Sequence, residues 1–333
     1  MLILTSASWL TALVLCIFCT MAGATQDEAV ILSDAVPEVT TVTEDEEIDS
    51  ISDTATHGSA DSQHTSGQHG RNDERRTIWQ ELEPGLHFGE FTLAKNRAQL
   101  TVLRIDPNQF DFVLCARSEL GGATRTLRQW GEEQNLTAAI NASMYLPDGS
   151  TSTGYMRQGK HINNGRLVQR FGAFFVAGPQ DPMLPQAHIL ERDDPQWRAL
   201  LDKYHMVIQN YRMVSSDRRI LWSPGGPLYS ISAVAEDNEG QILFLHCRRP
   251  VDAYTFAQHL LLLPLNIRTV MYVEGGGQAG LLVRSTALTR EVGGLHPSGF
   301  LVTGNLRASL PNVLGARRKT TPLHGMGKTD IRQ

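Results

Sequence analysis

Met271-Tyr272-Val273-Glu274-Gly275-Gly276-Gly277-Gln278-Ala279-Gly280 sets the pattern on which the fold is read: an apolar run stops at a carboxylate and breaks into glycines. β-Branched and aromatic residues favour the pleated strand, and glycine permits the positive φ that a tight turn needs. Outward from this stretch, strand-like runs recur at 86–93, 99–105, 110–116, 137–142, 172–177, 205–209, 231–235, 242–247 and 299–302, with 269–273 inside the quoted run. Helical patterns are fewer. They cover 124–134, with Thr124 or Thr126 as cap; 195–204, opened by Asp193 or Asp194 and Pro195; and 252–263, with Ala253, Phe256, Ala257 and Leu260 on one face. Many strands with three interspersed helices predict an α+β fold, a mixed or antiparallel β-sheet core with a few flanking helices in a single domain. The strict strand-helix alternation of a barrel or a doubly wound sheet is missing.

The ends of the chain differ from this middle. Residues 1–24 carry no charge and hold a dense apolar run closed by Ala22-Gly23-Ala24, the pattern of a secretory signal peptide. Residues 25–77 hold thirteen acidic residues against three arginines, a net charge of −10, and little apolar periodicity. Such a segment buries too little apolar surface to offset its ordering entropy, so it is expected to be a disordered acidic linker. The folded domain is expected over 78–310 and a basic, flexible tail, marked by Arg317-Arg318-Lys319, over 311–333. Without the acidic segment, the overall −5 becomes a mildly basic +5. That favours anionic ligands, while its weakness and even spread exclude nucleic acid as an expected partner. A secreted or periplasmic protein is expected, with no membrane span once the signal is removed. Cys115 and Cys247 lie in apolar runs, and pairing or two buried free thiols are equally open readings. No spacing for a metal site occurs, and no cofactor is expected.

The chemistry is sought where apolar runs end. Glu274 at a strand end, beside an open glycine turn, suits acid, base or hydroxyl-binding work; the alternative is a Gly-rich hairpin with Glu274 on its rim. The stretch lacks the Lys-Ser/Thr ending of a P-loop and the spacing of a dinucleotide fingerprint. Asn141, closing the run Leu136-Thr137-Ala138-Ala139-Ile140, can both donate and accept hydrogen bonds, as sugar recognition requires, or can serve the Pro147-Asp148-Gly149 turn that follows.

In order along the chain, NASMY (141–145), GYMRQGKHINN (154–164), VIQNYRM (207–213), YSISAVAEDNEGQILFL (229–245), a helix from 252 and MYVEGGGQAGLLV (271–283) resemble the phosphodiester glycosidase family. The resemblance implies hydrolysis of a sugar 1-phosphodiester in envelope or extracellular glycan metabolism, on a carbohydrate or sugar-phosphate substrate. It implies Glu274 with Asn141 at the catalytic centre, and Tyr145, Asn210, Arg212, Arg248, Gly275, Gly276, Gly277 and Gln278 around the substrate. The sequence departs from the family's pattern at three places. Glu274 replaces an aspartate, Gln278 replaces a serine, and Ser230-Ile231-Ser232-Ala233-Val234-Ala235 stands where the family carries an arginine. Because serine does not replace the fork geometry of a guanidinium, Arg212, Arg248 and Arg249 are the candidate substitutes. The same departures fit a second reading, a non-catalytic glycan-binding or envelope-assembly module on the same fold.

Overall fold

The computed structural model describes residues 79–93, 97–295 and 308–320. The expectations for 1–24, 25–77 and the strand at 299–302 lie outside those residues.

Three antiparallel sheets make the domain. The first runs, in spatial order, through Trp79–Glu83, Leu86–Leu93, Ala98–Ile105, Ile242–Val251, Tyr229–Asp237, Ile267–Gly275 and Arg212–Val214. A second runs through Thr289–Gly293, Gly280–Arg284, Ala138–Asn141, Asn312–Arg318 and Phe110–Ala116. The third runs through His161–Asn164, Met156–Gln158, Tyr204–Asn210, Ala173–Pro179 and Ala187–Glu191. Every pairing among these strands is antiparallel.

The first sheet is covered on both faces, which is why its central strands read as nearly unbroken apolar runs. On one face Leu103, Val234, Phe244, Met271 and Val273 pack against residues of both other sheets, among them Phe112, Ile140, Phe175, Ile208 and Leu314. On the other, Leu245, Ala233 and Val270 pack under Phe256, Ala257 and Leu260 of the helix Ala253–Leu260. The ring of Phe112, from the second sheet, meets Phe175 of the third at 5.4 Å and Phe244 of the first at 6.0 Å, both nearly edge-on.

Helices are short. Thr126 caps Leu127–Glu133 through a reciprocal pair, Gln129 N donating to Thr126 Oγ1 at 3.2 Å and Thr126 N to Gln129 Oε1 at 2.9 Å. Asp252 caps Ala253–Leu260, accepting from Thr255 N at 2.9 Å. The helix expected over 195–204 shrinks to Trp197–Leu201, since Tyr204 already starts a strand paired with Ala173–Pro179. The α+β expectation therefore moves toward a mostly β domain with a few flanking helices.

One boundary needs correction. Residues 312–318 are not part of a tail: Asn312–Arg318 is a strand lying between Ala138–Asn141 and Phe110–Ala116. Its apolar core, Val313-Leu314-Gly315-Ala316, is too short to stand out beside the basic residues that follow. Gly315 is required there, because a Cβ would lie 2.6 Å from a methyl of Leu136. The basic residues bind the domain: Arg317 Nε donates to Gln134 O at 2.8 Å and Arg318 Nε to Glu83 at 2.9 Å.

Cys115 and Cys247 are free and buried in different sheets and different clusters, which excludes their pairing. Burial pushes the thiols up to about 11 and about 12, so neither is a nucleophile at neutral pH.

Replacing Phe112 by Ala should cost about 3–5 kcal/mol, the range for emptying a buried aromatic site. Thermal or urea unfolding measures it. A loss below about 1 kcal/mol would show that the three sheets do not depend on this ring.

Candidate active site

The apolar run Val270-Met271-Tyr272-Val273 pairs with Tyr229–Asp237 on one side and Arg212–Val214 on the other, and so delivers Glu274 at the edge of the first sheet. The glycines that follow do not make a hairpin. Gly276–Gln278 is a single 3₁₀ turn at a corner, after which the chain re-enters the second sheet as Gly280–Arg284. Two glycines are obligatory at this corner: Gly276 has φ of +66°, and a Cβ on Gly275 would fall 2.2 Å from the Tyr272 hydroxyl.

Asn141 holds the corner. Its Nδ2 donates to Gln278 O at 2.9 Å and its Oδ1 accepts from Gly280 N at 2.8 Å. The structure thus brings the two motifs together, but the Asn141 carboxamide is buried and engaged with main chain rather than presented to a ligand. It is a positioning residue. Asn210, ending Tyr204–Asn210, donates from Nδ2 to Ala142 O at 2.9 Å, and its Oδ1 is buried with no partner. Strand ends from all three sheets therefore meet here, at Gly275, Asn141 and Asn210.

Glu274 is 8 % exposed. Its Oε1 accepts from Gly275 N at 2.9 Å, and Oε2 has no partner among the described residues. Burial pushes the carboxyl up to about 8, only partly offset by the Gly275 amide. Tyr145, half-buried, and Tyr272, buried, are both pushed up, first by burial and then by the charge of Glu274. Both rings therefore stand near the carboxyl.

The sequence reading passed over two neighbours. Ser232 lies directly across from Glu274, and His246 directly across from Ser232 on the next strand. Directly opposed residues share a face, so Ser232 and His246 form a polar pair on a buried sheet, while a bulge beside Ser232 shifts the register next to Glu274. His246 Nδ1 is 3.0 Å from Ser232 Oγ; Nε2 is buried without a partner, and burial together with Arg248 holds the imidazole down at about 3, hence neutral. The signal that could have found them is a polar residue interrupting each of two apolar runs, ISAVA and LFLHC.

Of the expected anion-binding groups, Arg212 is not available. Its guanidinium is held by Glu191 at 2.8 Å and Asp193 at 2.7 Å, two carboxylates that no local pattern places beside it. Arg248 is exposed, with Nη1 donating to Gly293 O at 2.7 Å. Gln278 is exposed on the turn. Asp148 and Asp237, the other carboxylates near the motifs, serve turns: Asp148 accepts from Ser150 N and Thr151 N, and Asp237 from Glu239 N and Gln241 N, each at 2.9 Å.

A cavity of about 380 Å³ opens at the other end of the first sheet, lined in part by His188, Glu236 and Arg268. Glu236 is held there, accepting from His188 Nδ1 at 2.9 Å and Ile189 N at 2.8 Å and lying 3.3 Å from Arg268. These contacts tie the third sheet to the first. Among the described residues no group of three or more His, Cys, Asp or Glu side chains is disposed to hold a metal ion, and no helix is long and apolar enough to cross a membrane.

A mostly antiparallel domain with a buried carboxyl at a glycine corner between sheets is the class that this geometry defines. The phosphodiester glycosidase family model matches residues 134–316, more than half of the chain, and the chain belongs to that family. Among solved structures, it is similar to the catalytic domain of zebrafish N-acetylglucosamine-1-phosphodiester alpha-N-acetylglucosaminidase auto-inhibited by its pro-peptide. There the identity is 12 % and the TM-score 0.48, covering 75 % of this chain and 86 % of that one. A hypothetical protein from Synechocystis is similar at 12 % identity and a TM-score of 0.48, over 71 % of this chain and 62 % of that one. No curated protein sequence matches.

The raised Glu274 carboxyl sets a stability test. Its folded state keeps the proton above the ordinary value of 4.5, so its contribution is present in full below about 4.5, declines as pH rises, and is lost above about 8. Glu274→Gln cannot ionise. The variant should match the parent at pH 4 and exceed it at pH 9, by an amount on the order of 4 kcal/mol. Unfolding curves at the two pH values check this, and equal stability at pH 9 would show that Glu274 is not desolvated.

Proposed function

We propose that the chain hydrolyses a sugar 1-phosphodiester at the Glu274 corner. One observation carries the reading: a carboxyl buried at the glycine corner where the three sheets meet, with its titration pushed up to about 8 by burial. A carboxylate would repel an anionic phosphodiester, whereas a neutral carboxylic acid accepts it and donates a hydrogen bond. The bond between the anomeric carbon and the phosphate oxygen breaks through an oxocarbenium-like transition state, and water supplies the new oxygen on that carbon. Glu274 gives its proton to the departing phosphate oxygen and recovers one from the attacking water. Phosphate is a good leaving group, so holding its charge contributes more than the proton does. Arg248 is the exposed cation for that task, with the Tyr145 hydroxyl beside Glu274 for a sugar hydroxyl. Membership of a glycosidase family supports a carbohydrate substrate.

The test is turnover across a set of sugar 1-phosphodiesters. kcat/KM should be level below pH 7 and fall with a one-proton slope above about 8, the value to which burial raises Glu274. Glu274→Gln should lose ~10²-fold or more in kcat while staying folded, and Arg248→Ala should raise KM about tenfold with a smaller effect on kcat. Sugar phosphate binding with no turnover of any member would replace this reading by the glycan-binding module. An unaltered Glu274→Gln enzyme would remove Glu274 from the chemistry. We also propose that the protein acts outside the cytoplasm after loss of residues 1–24, which the apolar run ending at Ala22-Gly23-Ala24 supports. Intact mass of the protein from its host decides this, and a mature chain retaining Met1 would refute it.

A further inference from the structure

Beside the Glu274 corner lies a run of aromatic rings that the reaction above does not use. Tyr272, whose hydroxyl abuts Gly275, is 5.4 Å from Trp222 between ring centroids. Trp222 is 5.6 Å from Tyr211, and Tyr211 is 4.3 Å from Phe171. The inner rings, Tyr272 and Phe171, are buried, while Trp222 and Tyr211 are only half-buried. Trp222 belongs to a surface segment that also exposes Leu221 at 40 % and Leu228 at 62 %. An aromatic cluster that served the core alone would gain by covering its outer rings. Here Trp222 keeps open surface beside Tyr272, whose hydroxyl abuts the residue after Glu274, while the Arg170 guanidinium lies over the Tyr211 ring at 5.7 Å.

We propose that Trp222, backed by Tyr272 and flanked by Tyr211, is the subsite that holds the sugar ring. A pyranose presents a patch of C–H groups on one face and hydroxyls around its edge. The C–H groups carry slight positive charge and match the negative face of an indole or phenol ring, and stacking removes apolar area from water on both partners. The hydroxyl edge then remains free for Glu274 and Tyr145, which stand on the same side as Tyr272. A ligand site of this kind joins an apolar wall to a few polar groups that fix orientation. The phosphate contributes nothing to the stacking, so the wall sets affinity for the sugar and leaves the bond-breaking step alone.

This inference rests on the reading of the site as one for sugar phosphodiesters, and binding rather than turnover tests it. The probes are a panel of hexose and N-acetylhexosamine 1-phosphates, titrated into the full chain with tryptophan emission and calorimetry as readouts. At least one member should bind and shift the emission. In Trp222→Leu, which keeps an apolar contact for Tyr272 but has no aromatic face, Kd should rise about tenfold or more and the emission change should vanish. Trp222→Phe should recover part of the affinity without the emission change, and the thermal midpoint of both variants should stay near the parent's. In turnover, Trp222→Leu should raise KM and leave kcat within about threefold. Affinity in Trp222→Leu equal to the parent's would overturn the proposal, as would failure of every panel member to bind the parent. If the parent binds through Trp222 but hydrolyses nothing, the subsite stands and the hydrolytic reading falls.

Discussion

The contact of Phe112 with Phe175 and Phe244 takes one ring from each of the three sheets, and the rest of the domain follows from it. A sheet that buries one face needs a partner layer. Here the first sheet has two on the same side, and both must fit around a single hydrophobic centre. Interiors pack at crystal-like density, so the relative tilt of the sheets is fixed within narrow limits once these rings interlock. Their strand ends are then carried to one edge, where Gly275, Asn141 and Asn210 meet. The site is a by-product of how three sheets share one core.

The two ends of the first sheet hold their carboxyl groups differently. At the far end of the first sheet, Glu236 has a partner for each oxygen, and Asp237 accepts from two amides and from Arg104. At the Glu274 edge, Asn210 Oδ1 and His246 Nε2 are buried without partners, and a carboxyl is held in apolar surroundings. Each unmet group costs about 1–3 kcal/mol. Unmet polar groups beside a buried carboxyl, where strand ends of three sheets meet, favour this edge as the place of chemistry. The Asn141 carboxamide offsets part of the cost by fixing the turn with two hydrogen bonds from one side chain.

Much of this was legible in the sequence, and the reasons it stopped are physical. The strands Leu86–Leu93 and Phe110–Ala116 could be read to their ends because local composition and pairing agree there. The cap at Thr126, one of two candidates with Thr124, was legible because a cap bonds within three residues of itself. Glu274 and Asn141 stood out as polar residues closing apolar runs. The ion pairs of Arg212 were not legible because Glu191, which ends a strand of the third sheet, and Asp193, in the turn after it, come some twenty residues earlier. The pair Ser232 and His246 escaped notice because cross-strand register is not written in either strand alone. The strand Asn312–Arg318 was missed because its apolar core is brief and its basic flank resembles a solvated end.

The placement of Asn312–Arg318 has a consequence for how the protein is made. It is the inner strand between Ala138–Asn141 and Phe110–Ala116, two segments that leave the ribosome long before it. At roughly 5–20 residues per second, the earlier strands wait on the order of ten seconds for their neighbour, each with a bare row of amides and carbonyls. The second sheet therefore closes late, after its outer strands have waited for the one between them. Until then those strands expose edges on which other chains could pair.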